Sequence, residues 1–176
     1  MTSFNLDTFV ARLRQVATDT DAHSKIKAII QDAMADPSSV QAGMPDFEEN
    51  DVILHEDETI SIWHCRFMPG HQVPAHDHKM SATIGVYRGA ERNIFFENDP
   101  NGTVRESSDV RLGAGQVLQI GPNAIHAVAC DSPEPCCGIH VYLGALTKVE
   151  RSLFDVERGE VLSFTDANYE RLTHPV

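Results

Sequence analysis

Short β-prone runs separated by turn residues fill the chain between residues 51 and 143. Turn-forming pairs such as Pro69-Gly70 and Gly121-Pro122 lie between the runs. Regular spacing of this kind predicts an antiparallel barrel or sandwich. The predicted strands cover residues 51–54, 59–67, 82–87, 93–97, 103–106, 116–120, 127–130 and 138–143.

The first part of the chain has a different period. Apolar side chains recur at helical spacing over residues 5–35, which predicts two helices. Asn5 or Asp7 is expected to cap the first helix, and Ser24 lies close to the expected start of the second. We expect these helices to cover the β-rich part of the molecule.

A length of 176 residues suits a single domain with one core. Within that domain we predict a helical cover over residues 1–45, a barrel over residues 46–145 and a C-terminal segment over residues 146–176 that wraps the barrel. The fold class expected from this arrangement is all-β with N-terminal helices.

Composition argues against several classes of partner. The formal net charge is -12, and the Lys and Arg residues are scattered, so binding to nucleic acid is not expected. No apolar run reaches the roughly 18 residues of a membrane span, and residues 1–13 lack the apolar core of a signal peptide. We therefore expect a cytoplasmic protein that acts on a small molecule.

The chain contains four cysteines, and Cys136 and Cys137 are adjacent. This spacing suits neither a disulfide framework nor a zinc knuckle, so reduced thiols are the default expectation. A bond from Cys130 to Cys136 or Cys137 stays open as an alternative, because the intervening DSPEP segment has the composition of a tight turn.

Three of the nine histidines have the spacing of metal ligands. His76 and His78 are two residues apart, so on a strand both imidazoles leave the same face and can share one ion. A third ligand must then come from another strand. His126 follows a tight turn and precedes an apolar run, which would aim its side chain inward at the same point.

Two segments around these histidines resemble the motifs of the cupin family. Gly70, His76, His78 and Gly89 have the spacing of the first motif, and residues 115–126 resemble the second. The resemblance implies a cupin double-stranded β-helix, also called a jelly-roll barrel, that holds one divalent metal.

The chain departs from the cupin pattern at four positions. Gly121 stands where the family usually has proline and Asn123 where it usually has glycine, although both residues suit a turn. Ala82 and Thr83 occupy the positions where many cupins place a glutamate ligand. The resemblance therefore implies a site of three histidines without a carboxylate.

Cysteine dioxygenase and the related thiol dioxygenases are cupins with such a site, and the resemblance to them spans residues 50–145. His140 and Tyr142 resemble the Ser-X-His-X-Tyr relay of that family, with Gly138 at the position of the serine. The resemblance implies a non-haem iron(II) dioxygenase that uses O2 to oxidise a small thiol to its sulfinate. Tyr142 would donate a hydrogen bond to oxygen or substrate, and His140 would orient its hydroxyl.

Two further departures concern the substrate. Asn50 stands where that family has the arginine that binds the carboxylate of cysteine, and Ala82 and Thr83 cannot provide the cysteine of its Cys–Tyr crosslink. Cysteine itself is therefore not the expected substrate.

Several alternatives remain open from the residues alone. Imidazole ligands also suit nickel, zinc, copper and manganese. Three neutral ligands leave the full charge of about +2 on a divalent ion, which favours an anionic thiolate or enolate. The same centre would permit cleavage of a diketone or another enolisable compound, and a metal-bound sensor without turnover is a third hypothesis.

The candidates for substrate binding are Arg66, His64 and Thr83. Arg66 and His64 alternate with apolar residues on one face of the strand at residues 59–67, so an inward-facing guanidinium would bind a substrate carboxylate, and the alternative for Arg66 is a surface charge. Trp63 and Cys65 would then pack on the other face. Structural or surface roles are expected for the histidines at positions 23, 55, 71 and 174.

Overall fold

The computed structural model of the protein describes residues 3–175. Its helices are α1 (Leu6–Val16), α2 (Ala22–Met34), α3 (Pro37–Gly43) and α4 (Asp166–Leu172), and a short 3-10 helix spans Leu146–Lys148. Its strands are β1 (Asp51–Glu56), β2 (Ser61–Phe67), β3 (His71–Asp77), β4 (Ala82–Arg88), β5 (Ala90–Asn98), β6 (Val104–Gly113), β7 (Val117–Ile120), β8 (Ile125–Cys130), β9 (Cys136–Tyr142), β10 (Ser152–Asp155), β11 (Glu160–Ser163) and β12 (His174–Pro175).

The N-terminal helices begin at polar caps. Asn5 Oδ1 accepts a hydrogen bond from the Thr8 backbone N–H at 2.9 Å, so Asn5 is the cap of α1. Helix α2 begins two residues before Ser24 and has no side-chain cap. The prediction of two helices missed α3. This helix begins after the Asp36 cap and has Pro37 in its first turn.

The strands form two antiparallel sheets. The first has the order β1-β2-β9-β4-β7, and the second has the order β11-β10-β3-β8-β5-β6, with β12 paired to the first residues of β3. Among residues 3–175, no helix combines the length and the apolarity that crossing a membrane requires.

The first sheet is buried on both faces. Helices α1 and α2 pack on its outer face, where Leu13, Ile26 and Ile30 join side chains of β2 and β9 in one core cluster. Its inner face contributes Ile84 and Val86 to a second cluster between the sheets. Because both faces of the central strands β2, β9 and β4 are largely buried, the two faces cannot be told apart by polarity along the strand.

The C-terminal segment does more than wrap the barrel. Strand β10 pairs with β3, so that Leu153 lies opposite His76. Asp77 Oδ1 accepts a hydrogen bond from the Ser152 backbone N–H at 2.9 Å and ties the segment to the His76–His78 motif. The segment from Arg151 to α4 is thereby held against the interior of the barrel.

All four cysteines are buried free thiols. Burial raises the pKa of Cys65 and Cys136, so both thiols stay protonated at neutral pH.

Candidate metal centre

Strand pairing brings the three predicted ligands together. His76 and His126 lie directly opposite each other in the β3–β8 ladder, and His78 follows the last residue of β3. Ring nitrogens of all three lie within 4.8 Å of one another, and the side chains are buried, with His126 only 1% exposed. The spacing of two residues and the register of two strands together build this group.

Hydrogen bonds on the far side of two rings fix their tautomers. His76 Nδ1 donates to the Pro74 carbonyl at 2.8 Å, and His126 Nδ1 donates to Asn93 Oδ1 at 2.9 Å. Both acceptors are carbonyl oxygens, which cannot donate, so the proton belongs to Nδ1 and the Nε2 lone pairs are free.

The free nitrogens point at one another. His76 Nε2 lies 3.1 Å from His78 Nε2, and His126 Nε2 is buried and has no hydrogen-bond partner in the described part of the chain. Unpaired buried acceptors at such short distances are unfavourable unless a cation lies between them. The arrangement therefore fits a divalent metal ion on the three Nε2 atoms.

A β-bulge places the Pro74 carbonyl where His76 needs it. The β3–β8 register shifts between Val73 and His76, and Pro74 lies inside that shift. Proline has no backbone N–H to contribute to a ladder, so a bulge costs little at this position. The bulge leaves the carbonyl free to accept from the His76 ring.

Burial keeps the three imidazoles neutral. It lowers the pKa of His76 to about 4 and lowers those of His78 and His126 well below their ordinary value. Metal binding requires the unprotonated ring nitrogen, so at neutral pH no proton has to be displaced.

His140 and Tyr142 reach the same pocket from the opposite sheet. Both lie on β9, where Tyr142 Oη is 3.4 Å from His140 Nδ1 and the Tyr142 ring packs edge-on against His78 at 4.9 Å between centroids. Burial raises the pKa of Tyr142, so its hydroxyl keeps its proton and can act as a donor.

A cavity of about 260 Å³ lies over the three histidines, and it contains a cation that the sequence analysis missed. The Arg151 guanidinium lies 3.8 Å from the centre of the Phe164 ring, and both residues line this cavity with Tyr169. Among residues 3–175, no carboxylate forms an ion pair with Arg151, although Asp51 and Asp166 also line the cavity. The sequence signal that could have indicated the position of Arg151 is the β-prone run at residues 152–155.

The structure does not place the three predicted substrate-binding residues in this cavity. His64 contacts Tyr87 Oη at 2.8 Å on the helix-covered side of the first sheet, and Arg66 on the same face donates to the backbone carbonyls of Phe47 and Glu48. Thr83 Oγ1 accepts a hydrogen bond from Gln119 Nε2 at 3.1 Å. The prediction was wrong because both faces of the sheet are buried.

The opposite face of β2 lines the cavity instead. Trp63, Cys65 and Phe67 contact the pocket, although Trp63 and Cys65 were expected to pack away from it. The remaining histidines, at positions 23, 55, 71 and 174, lie outside the cavity.

Comparison with solved structures identifies the architecture. A protein with a double-stranded beta-helix domain from Klebsiella pneumoniae subsp. pneumoniae MGH 78578 aligns over 66% of this chain and 88% of its own, with 16% identity and a TM-score of 0.50. A protein from Bacillus halodurans aligns over 65% of this chain and 77% of its own, with 10% identity and a TM-score of 0.50.

A third similar structure is an RmlC-like cupin family protein with a double-stranded beta-helix fold from Methanocaldococcus jannaschii. It aligns over 60% of this chain and 91% of its own, with 13% identity and a TM-score of 0.47. No protein-family model matches the chain. The predicted double-stranded β-helix with N-terminal helices is confirmed.

Proposed function

We propose that the protein is a non-haem iron(II) dioxygenase that adds both atoms of O2 to the sulfur of a small thiol and so forms a sulfinate. The observation that carries this proposal is the composition of the cavity. Three neutral imidazoles from one sheet face the His140–Tyr142 pair of the other sheet, and no carboxylate of residues 3–175 belongs to the histidine group.

The charge of the ligand set favours an anionic substrate atom. Iron(II) held by His76, His78 and His126 would supply the binding of O2 and the redox chemistry. Three neutral ligands leave its charge uncompensated, so the histidine set favours a thiolate over a neutral thiol. The protein's own contribution is to hold the imidazoles neutral and to exclude water around them.

Tyr142 is suited to donate a hydrogen bond into the cavity. Its hydroxyl is protonated at neutral pH, and its ring contacts the ligand His78. His140 on the same strand face limits the directions that the hydroxyl can take.

Arg151 is the residue that we assign to the far end of the substrate. A guanidinium that has no anionic partner among residues 3–175 presents several donors to the cavity, and its planar fork matches a carboxylate. The cavity volume of about 260 Å³ is sufficient for a small substrate. The proposed substrate class is therefore a small thiol with a carboxylate.

The direct test is metal analysis of freshly purified protein followed by oxygen uptake with a panel of small compounds. Mercaptopropionate carries a carboxylate, mercaptoethanol has no charged group and cysteamine carries an ammonium group. We expect mercaptopropionate to be oxidised fastest, with a sulfinate detected by mass spectrometry. Oxygen uptake with acetylacetone but with none of the thiols would replace this function by diketone cleavage, and tight binding without any uptake would favour a sensor.

Substitution of Arg151 tests the assignment of the substrate class. Arg151→Gln should lower kcat/KM for mercaptopropionate about 10- to 100-fold, the effect of losing one charged hydrogen-bonding partner, and should leave mercaptoethanol nearly unchanged. Arg151→Lys keeps the charge and should recover part of the loss. Faster turnover of cysteamine in the wild type would contradict the assignment, because Asp51 or Asp166 would then select the substrate.

A further inference from the structure

Two polar residues on β5 are buried beneath the metal centre without any role in the proposed chemistry. Glu91 is 1% exposed and Asn93 is fully buried. A buried carboxylate is costly unless donors surround it, so Glu91 must be matched by specific partners.

These two residues connect the ligand His126 to His140. Asn93 Oδ1 accepts from His126 Nδ1 at 2.9 Å, and Asn93 Nδ2 donates to Glu91 Oε1 at 2.9 Å. The second carboxylate oxygen, Glu91 Oε2, lies 3.5 Å from His140 Nε2, which is within ion-pair distance, but His140 Nε2 makes no hydrogen bond with the described residues. The path therefore begins at a ring that faces the metal position and ends at the ring beside Tyr142.

The carboxylate sets the direction of the two hydrogen bonds that join it to His126. A carboxylate oxygen accepts, so the Asn93 amide turns its NH2 group to Glu91 and its oxygen to His126. His126 then carries its proton on Nδ1 and leaves Nε2 free for a metal. His140 Nε2 faces the same carboxylate at ion-pair distance, where the negative charge favours a proton on Nε2, and this leaves Nδ1 to accept from the Tyr142 hydroxyl.

We propose that Glu91 is a positioning residue that sets the tautomers of His126 and His140 together, through hydrogen bonds to Asn93 on one side and through its charge on the other. The inference rests on the metal-binding part of the proposed function and not on its substrate. One buried carboxylate thus prepares both a ligand in one sheet and the hydrogen-bonding pair in the other.

The test is Glu91→Gln, which keeps the shape of the side chain and replaces one acceptor oxygen by a donor. The new amide can accept from Asn93 Nδ2, but its NH2 group then faces His140 Nε2. We expect His140 to move its proton to Nδ1, which 15N chemical shifts of labelled histidine report in the full-length zinc-loaded protein. The dissociation constant for zinc should rise about 10- to 100-fold, the usual effect of losing a group that supports a metal ligand.

The matched control is the double substitution Glu91→Gln with Asn93→Asp. The aspartate accepts both from His126 Nδ1 and from the amide at position 91, whose oxygen then faces His140 Nε2. The wild-type tautomers should return, and most of the zinc affinity with them.

Two results would overturn the inference. One is a wild-type protein in which His126 carries its proton on Nε2 or His140 on Nδ1, a measurement that needs no variant to fold. The other is an unchanged tautomer at both histidines in Glu91→Gln. Neither result depends on oxygen uptake, so failure of this inference and failure of the thiol dioxygenase proposal are separate outcomes.

Discussion

At the scale of single residues, the candidate metal centre consists of neutral side chains whose hydrogen bonds are fixed. His76 and His126 each use Nδ1 on a carbonyl oxygen, and Tyr142 keeps its proton because it is buried. At this scale the chemistry depends on which atom carries a proton, so conservative substitutions are the informative ones.

Tyr142→Phe removes a single hydroxyl from the cavity. If this group donates to oxygen or substrate, kcat should fall about tenfold or more, which corresponds to the loss of one hydrogen bond of roughly 1.4 kcal/mol. Metal content, measured by elemental analysis, should stay at the wild-type level. Tyr87→Phe is the matched control, because the Tyr87 hydroxyl contacts His64 on the other side of the sheet. Equal turnover in the two variants would contradict the role of Tyr142.

His64 makes a contribution to stability that depends on pH. Burial, and then the nearby Arg66, lower the pKa of His64 to about 4, whereas an unfolded histidine titrates near 6.5. Between these values the unfolded chain binds a proton that the folded protein does not. The free energy of unfolding therefore falls as pH drops from about 6.5 to about 4, by roughly 1–3 kcal/mol from this residue.

His64→Gln tests this dependence, because the amide can still bond Tyr87 but does not titrate. Urea unfolding of the metal-free protein at several pH values should give a flatter profile for the variant. The ligand histidines titrate in the same direction in both proteins, so the difference between the two profiles isolates His64. Parallel profiles would contradict the prediction.

At the scale of elements, the main feature is the packing of helices on a sheet whose central strands are covered on both faces. Gly85 on β4 lies under α2, where an added Cβ would stand 2.5 Å from Ile30 Cγ2. The missing side chain of Gly85 is therefore what allows α2 to approach the strand.

Gly85→Ala should destabilise the protein by about 1–3 kcal/mol, the usual cost of one excess carbon in a tight core. Denaturation in urea measures the change. Gly121→Ala is the matched control, because no atom lies within contact distance of its added Cβ, and the change there should stay within about 0.5 kcal/mol. Similar effects at both positions would show that steric contact with α2 is not the cause.

Two sheets enclose the cavity at the scale of the whole molecule. The histidines that would hold the metal come from β3 and β8 of one sheet, while His140 and Tyr142 come from β9 of the other. A ligand that binds this folded arrangement and not the unfolded chain raises the free energy of unfolding by mass action.

Removal of the metal should lower the melting temperature. At a free metal concentration about 100-fold above the dissociation constant, the stabilisation is roughly 2.7 kcal/mol, or about 5–10 °C for a chain of this size. Differential scanning fluorimetry before and after chelation measures the shift. His126→Ala should show no response to metal, and a response equal to that of the wild type would place the metal elsewhere.

Local patterns in the sequence were sufficient for most strands of the barrel, the first two helices and the three clustered histidines. His76 and His78 share a direction because they are two residues apart, and the spacing of their flanking glycines resembles a known motif. Neither property requires knowledge of a distant contact. The same holds for His140 and Tyr142 on β9.

Long-range packing decided the rest of the cavity. The period of β2 separates Trp63 and Cys65 from His64 and Arg66, but only the helices covering one face determine which pair faces the cavity. Arg151 enters through the pairing of β10 with β3, about 75 residues apart in the chain. Glu91 is an ordinary surface residue by type, and only the strands around it make it a buried acceptor. Periodicity tells which residues share a face, whereas the environment of that face depends on what packs against it.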